Sequence, residues 1–147
     1  MVCDFCSKKK KPFFETKHWR VFLSGDQSYL GRIFIFLNRH AESISELTKE
    51  EWIDLLEMMK KFESAALKAF GARLFNWSCL MNNAFQEKNP KPHVHWHCRP
   101  RYDEQVEFAG LTFIDSEFGH HYIRERKREV SKEVVTAIQN ELLRYLK

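Results

Sequence analysis

Apolar residues recur along this chain with two alternating periods. Residues 19–23 and 31–37 are rich in aromatic and β-branched side chains, and Gly25-Asp26-Gln27-Ser28 between them has the composition of a turn. The pattern predicts two strands paired antiparallel. The period then lengthens. Thr48-Lys49-Glu50-Glu51 reads as a capping box, and Trp52, Leu55, Leu56, Met59, Phe62, Ala66 and Leu67 follow at helical spacing, with Gly71 where a C-cap glycine belongs. One long amphipathic helix is expected there. Residues 73–82 return to a strand pattern, residues 83–92 are polar and carry two prolines, and strict alternation resumes at His93. Beyond Tyr102 the signal weakens: residues 106–114 are strand-like. Ser131 is placed to cap a last helix bearing Val134, Val135, Ile138, Leu142, Leu143 and Leu146. That helix needs a partner surface, on its own domain or across a dimer. The sum is an α+β domain with an antiparallel sheet of about five strands (roughly, from the pattern), a long helix and a C-terminal helix. Residues 1–147 read as one domain, with its core at 3–101 and an extension ending in the helix at 131–147.

The alternating segment is His93-Val94-His95-Trp96-His97-Cys98-Arg99-Pro100-Arg101. On a strand, alternate side chains share a face, so the imidazoles would form a row spaced ~7 Å apart while Val94, Trp96 and Cys98 face the core. Such a row suits phosphate chemistry, because one neutral imidazole can attack phosphorus while its neighbour donates to phosphate oxygens. A histidine-rich surface strand and a plain metal site are the competing readings.

With these residues the chain resembles the histidine triad (HIT) nucleotide hydrolases and transferases, whose motif is His-φ-His-φ-His-φ-φ with φ apolar, often closed by Pro-Arg. Here Arg99 stands at the last φ position, a departure, while Pro100-Arg101 agrees. Ser28-Tyr29-Leu30-Gly31-Arg32, Asn38-Arg39-His40-Ala41-Glu42-Ser43 and the following Leu-Thr-Lys-Glu-Glu also look like family landmarks in the expected order. Within that family the chain is similar to diadenosine tetraphosphate hydrolases. It implies a two-fold dimer with a continuous sheet.

The same resemblance implies site residues. His95, the middle triad histidine, would attack the α-phosphorus of a nucleotide, giving a nucleotidyl-histidine that water hydrolyses. Its other ring nitrogen would need an acceptor, expected in a backbone carbonyl of the strand. His97 would bond the phosphate or the bridging oxygen. Asn82 matches a polar substrate-contacting position, with Asn83 and Gln86 as neighbouring candidates, and Asp26 is the carboxylate nearest to a ribose-binding acid or is simply a turn former. The residue that assists leaving-group expulsion is not assignable in residues 85–92. Arg101 holds either a phosphate or a carboxylate. His120-His121 is a closing loop, a surface pair or a competing metal set.

Cys3-Asp4-Phe5-Cys6 has the spacing that lets two thiolates converge on one Zn²⁺, with His40 and His93 as the obvious further donors. A redox pair and free thiols are the alternatives. A zinc-containing branch of the family looks like this set of ligands. Cys79 and Cys98 lie in apolar contexts and read as core. A polyphosphate substrate would in addition favour Mg²⁺ on charge grounds.

Composition narrows the partners. With 44% hydrophobic and 14% aromatic residues among 147, the chain has enough apolar material for a core, which excludes disorder. A net charge of +4 from 24 basic and 20 acidic residues is a mild bias, compatible with an anionic small molecule and not a nucleic-acid stripe. Lys8 to Lys11 reads as a solvated connector. The longest apolar run, Ile33–Leu37, is too short to cross a bilayer and the N-terminus has no apolar signal core, so no membrane partner and a cytoplasmic location with reduced thiols are expected. The leading expectation is hydrolysis of a dinucleoside polyphosphate or nucleoside phosphoramidate. A nucleotidyltransferase or phosphorylase differs only in the acceptor, and a non-catalytic nucleotide sensor would need no turnover.

Overall fold

The computed structural model describes residues 3–7 and 10–147, so half of the basic run at 8–11 lies outside the described residues, as does the extreme N-terminus. After a short helix α1 (Asp4–Ser7), strands β1 (Phe14–Glu15), β2 (Trp19–Leu23) and β3 (Ile33–Leu37) form an antiparallel meander. Helix α2 (Lys49–Phe70) leads to β4 (Leu74–Ser78), a 3₁₀ turn (Asn82–Gln86) and β5 (His95–Arg101). The sheet is five-stranded, antiparallel throughout, in the order β1-β2-β3-β5-β4. The triad strand therefore sits between β3 and β4.

Local chemistry accounts for the boundaries. Thr48 caps α2 by accepting from the Glu51 amide while the Glu51 carboxylate takes the Thr48 amide, and Gly71 ends the helix in the left-handed region. Alternation in β2, β3 and β5 sends Val21, Ile33, Ile35 and Cys98 into the core, where Leu55, Met58, Phe62, Ala65 and Ala66 of α2 meet them. The helix presents a slightly different stripe from the one its sequence suggested: Met58 and Ala65 are buried, whereas Trp52, Leu56 and Leu67 are exposed. Gly31, at φ +81°, brings the chain within 3.5 Å of Pro100 for any added Cβ, so the turn and the end of β5 interlock there.

Residues 106–114 are not one strand. They form a hairpin of β6 (Val106–Phe108) and β7 (Leu111–Phe113), because Ala109 and Gly110 both adopt positive φ and reverse the chain. Helix α3 (Lys132–Leu143), capped by Ser131, packs against α2 of the same chain with Ile138 and Leu142 fully buried, so its partner surface lies in cis. Between β7 and α3, residues 114–130 run as an irregular strap held by side chains of the core. Tyr29 Oη accepts the Ile123 amide at 2.9 Å, and Asp26 Oδ1 accepts the Arg128 amide at 3.0 Å. No helix among the described residues is long and apolar enough to cross a membrane.

Candidate functional site

The face of the sheet opposite α2 carries the histidine row. Register pairs Phe36 with His95 and Phe34 with His97, so aromatic rings of β3 flank the imidazoles of β5. The Phe36 and His95 rings stack at 5.2 Å, Phe34 meets His97 edge-on at 5.0 Å, and the two histidines lie 4.9 Å apart. They line a cleft of about 1040 Å³ that the strap and the 3₁₀ turn complete.

His95 Nδ1 donates to the carbonyl of His93 at 2.7 Å. That bond fixes the tautomer, leaving Nε2 with a bare lone pair. Burial pushes His95 below its ordinary 6.5, partly opposed by this same hydrogen bond, so the ring is neutral near pH 7. His97 is lowered further, to about 4, first by burial and then by the positive charge that His95, Arg99 and Arg32 place around it. Its Nδ1 is buried without a partner among the described residues.

At the other end of the row, four side chains from distant parts of the chain converge. The ligand atoms of Cys3, Cys6, His40 and His93 all lie within 4.8 Å of one another. Cys3 Sγ is 3.2 Å from Cys6 Sγ and 3.3 Å from His93 Nδ1, and Cys6 Sγ is 3.8 Å from His40 Nδ1. A tetrahedron of thiolates at ~2.3 Å and imidazoles at ~2.0–2.1 Å has edges of this size. The second ring nitrogens are also served. His93 Nε2 donates to the Leu37 carbonyl at 2.9 Å and His40 Nε2 faces the Glu42 carboxylate at 3.5 Å, so each Nδ1 is left as the donor. The residues fit Zn²⁺, which would tie α1 and the turn after β3 to the head of β5.

The remaining candidates divide. Asn82 and Asn83 line the cleft; Gln86, one turn on, does not. Asp26 lines it too, but its carboxylate is already used: Oδ2 accepts Arg32 Nη1 at 2.6 Å, and Oδ1 accepts the amides of Ser28 and Arg128 at 3.0 Å each. Those contacts hold its carboxyl below the usual range despite burial. Arg101 holds no exposed anion site. It is fully buried against Asp115, with Nε to Oδ2 at 2.6 Å and Nη2 to Oδ1 at 3.0 Å, and Nη1 reaches the Asn76 amide oxygen and the His120 carbonyl. His120 and His121 are exposed and stand outside both the cleft and the metal set, while the next residue, Tyr122, lines the cleft. Tyr122, Arg124 and Lys127 are the site residues that sequence reasoning missed. Their only signal is a basic, aromatic stretch with no periodicity.

An antiparallel sheet with a histidine row on one face and a long helix on the other is the architecture that comparison with known proteins identifies. The HIT domain profile matches residues 7–104, and the chain belongs to the HIT domain family, whose members include nucleotide hydrolases and nucleotidyltransferases and typically process nucleotides. No curated protein matches the chain significantly. Among solved structures it is similar to a hypothetical histidine triad nucleotide-binding protein from Sulfolobus tokodaii (18% identity, 98% of this chain and 91% of that one, TM-score 0.69). It is likewise similar to a Zn-bound histidine triad family protein from Mycobacterium smegmatis (15% identity, 97% and 94%, TM-score 0.64). A uridylyltransferase matches over 95% of this chain but 43% of its own (22% identity, TM-score 0.56). At these identities the likeness is one of fold.

Proposed function

We propose that this protein is a nucleotide hydrolase of the diadenosine tetraphosphate hydrolase kind, cleaving a dinucleoside polyphosphate or nucleoside phosphoramidate at the α-phosphate through a nucleotidyl-His95 intermediate. The observation that carries the reading is the 2.7 Å bond from His95 Nδ1 to the His93 carbonyl, which leaves Nε2 unprotonated inside a cleft rimmed by arginines. In the first step Nε2 forms a bond to phosphorus as the bond from phosphorus to the leaving oxygen or nitrogen breaks. The leaving group departs with that electron pair and takes its proton from solvent or a neighbouring donor. Water then attacks the nucleotidyl-histidine, releasing the nucleoside monophosphate and restoring the neutral imidazole. His97, neutral and beside His95, serves as a hydrogen-bond donor to the phosphoryl oxygens. Asn82 and Asn83 contact the substrate from the 3₁₀ turn, and Phe13 and Phe22 line a neighbouring apolar cavity suited to a base.

Cys3, Cys6, His40 and His93 hold a structural Zn²⁺ in this reading, and Mg²⁺ enters with a polyphosphate substrate as its counter-ion. A symmetric dimer is part of it as well. The outer edge of β4 has no partner strand among the described residues, and Trp52, Ile53 and Leu56 form an exposed apolar patch on α2.

Mass spectrometry of intact protein tests the reading, using a rapid quench of the reaction with diadenosine tetraphosphate at neutral pH and, in parallel, in acid. An acid-labile adenylyl adduct on the wild type, absent from His95→Ala, together with released AMP and ATP, is the expected result. Absence of both adduct and products from zinc-replete protein, with phosphoramidates also tried, would leave nucleotide sensing as the better description.

A further inference from the structure

Alternation that puts His95 and His97 on the cleft face puts Arg99 there too, two residues farther along β5. Arg99 is 8% exposed, yet no hydrogen bond or ion pair engages its guanidinium among the described residues. What holds it is the ring of Tyr122, 4.0 Å from the guanidinium carbon, delivered by the strap. A ring under one face of the guanidinium fixes its plane and leaves its N–H edge available. Arg32, one residue before the stretch of β3 that pairs with β5, brings a second guanidinium to the same end of the cleft. The nearest acid, Asp26, is committed to Arg32. Arg124 and Lys127 add positive charge at the rim, with Glu129 beside them on the strap and Glu87 across the cleft after the 3₁₀ turn. A buried cation without a counter-charge is costly unless an anion completes it. In keeping with that, burial and the neighbouring Arg32 charge both lower the Arg99 pKa.

We propose that Arg99, braced by Tyr122 and seconded by Arg32, forms an anion subsite beyond His97 that takes the second and later phosphoryl groups of the substrate. The inference rests on the nucleotide reading above and deepens it. An α-phosphate at His95 with its base over the aromatic side of β2 and β3 sends the leaving group along β5, past His97, to Arg99. A phosphate chain is thereby recognised in its leaving portion, whereas an amine leaving group gains nothing from the subsite. The class selected is the polyphosphate and not the phosphoramidate. Arg99 acts here as a specificity-determining residue for leaving groups.

Calorimetric titration of zinc-replete wild type, Arg99→Met and Arg99→Lys with AMP, ADP, ATP and inorganic tripolyphosphate tests this without relying on turnover. Wild type should bind ADP and ATP roughly tenfold or more tighter than AMP, the scale of one charge-assisted hydrogen bond. That gain should vanish in Arg99→Met and be only partly kept in Arg99→Lys, which retains charge but loses the planar fork. Equal affinity of wild type for AMP and ATP would overturn the subsite and leave the nucleotide reading standing. Tripolyphosphate binding that depends on Arg99, without any AMP binding, would uphold the subsite and sink the nucleotide reading. Should Arg99→Met fail to fold, undiminished ATP and tripolyphosphate affinity in Arg99→Lys overturns the proposal on its own.

Discussion

Two side chains show how position along one strand decides between chemistry and scaffold. His97 and Arg101 share a face of β5, four residues apart, but Arg101 is closed over by Asp115 whereas His97 opens on the cleft. Arg101→Met would leave the Asp115 carboxylate buried and unpaired, so we expect a loss of about 3–5 kcal/mol in urea denaturation. Arg73→Met, which breaks an exposed 3.5 Å pair with Asp103, should cost at most about 1 kcal/mol. His97 sets a pH dependence of opposite origin. Its folded pKa of about 4 lies below the 6.5 of an ordinary imidazole, so between these values the unfolded chain takes up a proton that the fold refuses. Its contribution is therefore complete above pH 6.5 and is lost as the pH falls toward 4. The urea midpoint should drop over that window in wild type and drop less in His97→Gln. At this scale the sequence was most informative where alternation alone assigns a face: the histidine row and the core role of Cys98 both follow from period two. It could not separate Arg101's two readings, because the partner that decides, Asp115, lies in a segment without periodicity. The same holds for Asp26, whose second anchor is the Arg128 amide, 102 residues away.

Helix α2 is the element most fully legible, since its start, end and face depend on neighbours within a turn or two. Even so, its opening is tied to the metal region by a contact that no local pattern announces. Arg39, beside His40 of the proposed zinc set, makes a two-pronged pair with Glu51, at 2.6 Å and 2.9 Å. The Arg39 guanidinium holds the Glu51 carboxyl down to about 2. An unperturbed glutamate sits at 4.5, so this stabilisation is present above pH 4.5 and lost as the pH falls through about 2. Thr48→Ala removes the other half of this junction and should cost about 0.5–2 kcal/mol, read from chemical denaturation at pH 7. Arg39→Ala should flatten the acid limb of the stability profile between pH 4.5 and 2, an effect that Thr48→Ala lacks. The strap at 114–130 is the contrasting element. It carries no cap, no period and almost no backbone ladder, and its order comes from Tyr29, Asp26, Gln27 and Arg101 reaching out from the core. A sequence reader sees only a basic loop there, and so misses Tyr122.

For the molecule as a whole, the proposed zinc and dimer draw on neighbouring parts of one sheet, the ends of β3 and β5 and the free edge of β4. The cluster of Cys3, Cys6, His40 and His93 draws α1 onto the junction between the turn after β3 and the head of β5, and His93 also supplies the carbonyl that orients His95. Removal of zinc by a strong chelator, or Cys3→Ser, should lower the melting temperature by several degrees, at ~2–4 °C per kcal/mol for a chain near this size. Tripolyphosphate affinity should change little, because Arg99 and Arg32 are held by Tyr122 and Asp26 and not by the metal ligands. The proposed dimer draws instead on the free edge of β4 and the Trp52, Ile53 and Leu56 patch, none of which supplies a ligand to the zinc set. A charge in an apolar interface must be desolvated on association, so Ile53→Glu should halve the mass seen by light scattering, from twice 17.7 kDa to a single chain. The monomer should retain its zinc, measured by metal analysis after gel filtration. Loss of zinc in Ile53→Glu would mean that the start of α2 couples the two through the Arg39–Glu51 pair, and a wild type already at one chain's mass would remove the dimer from the account.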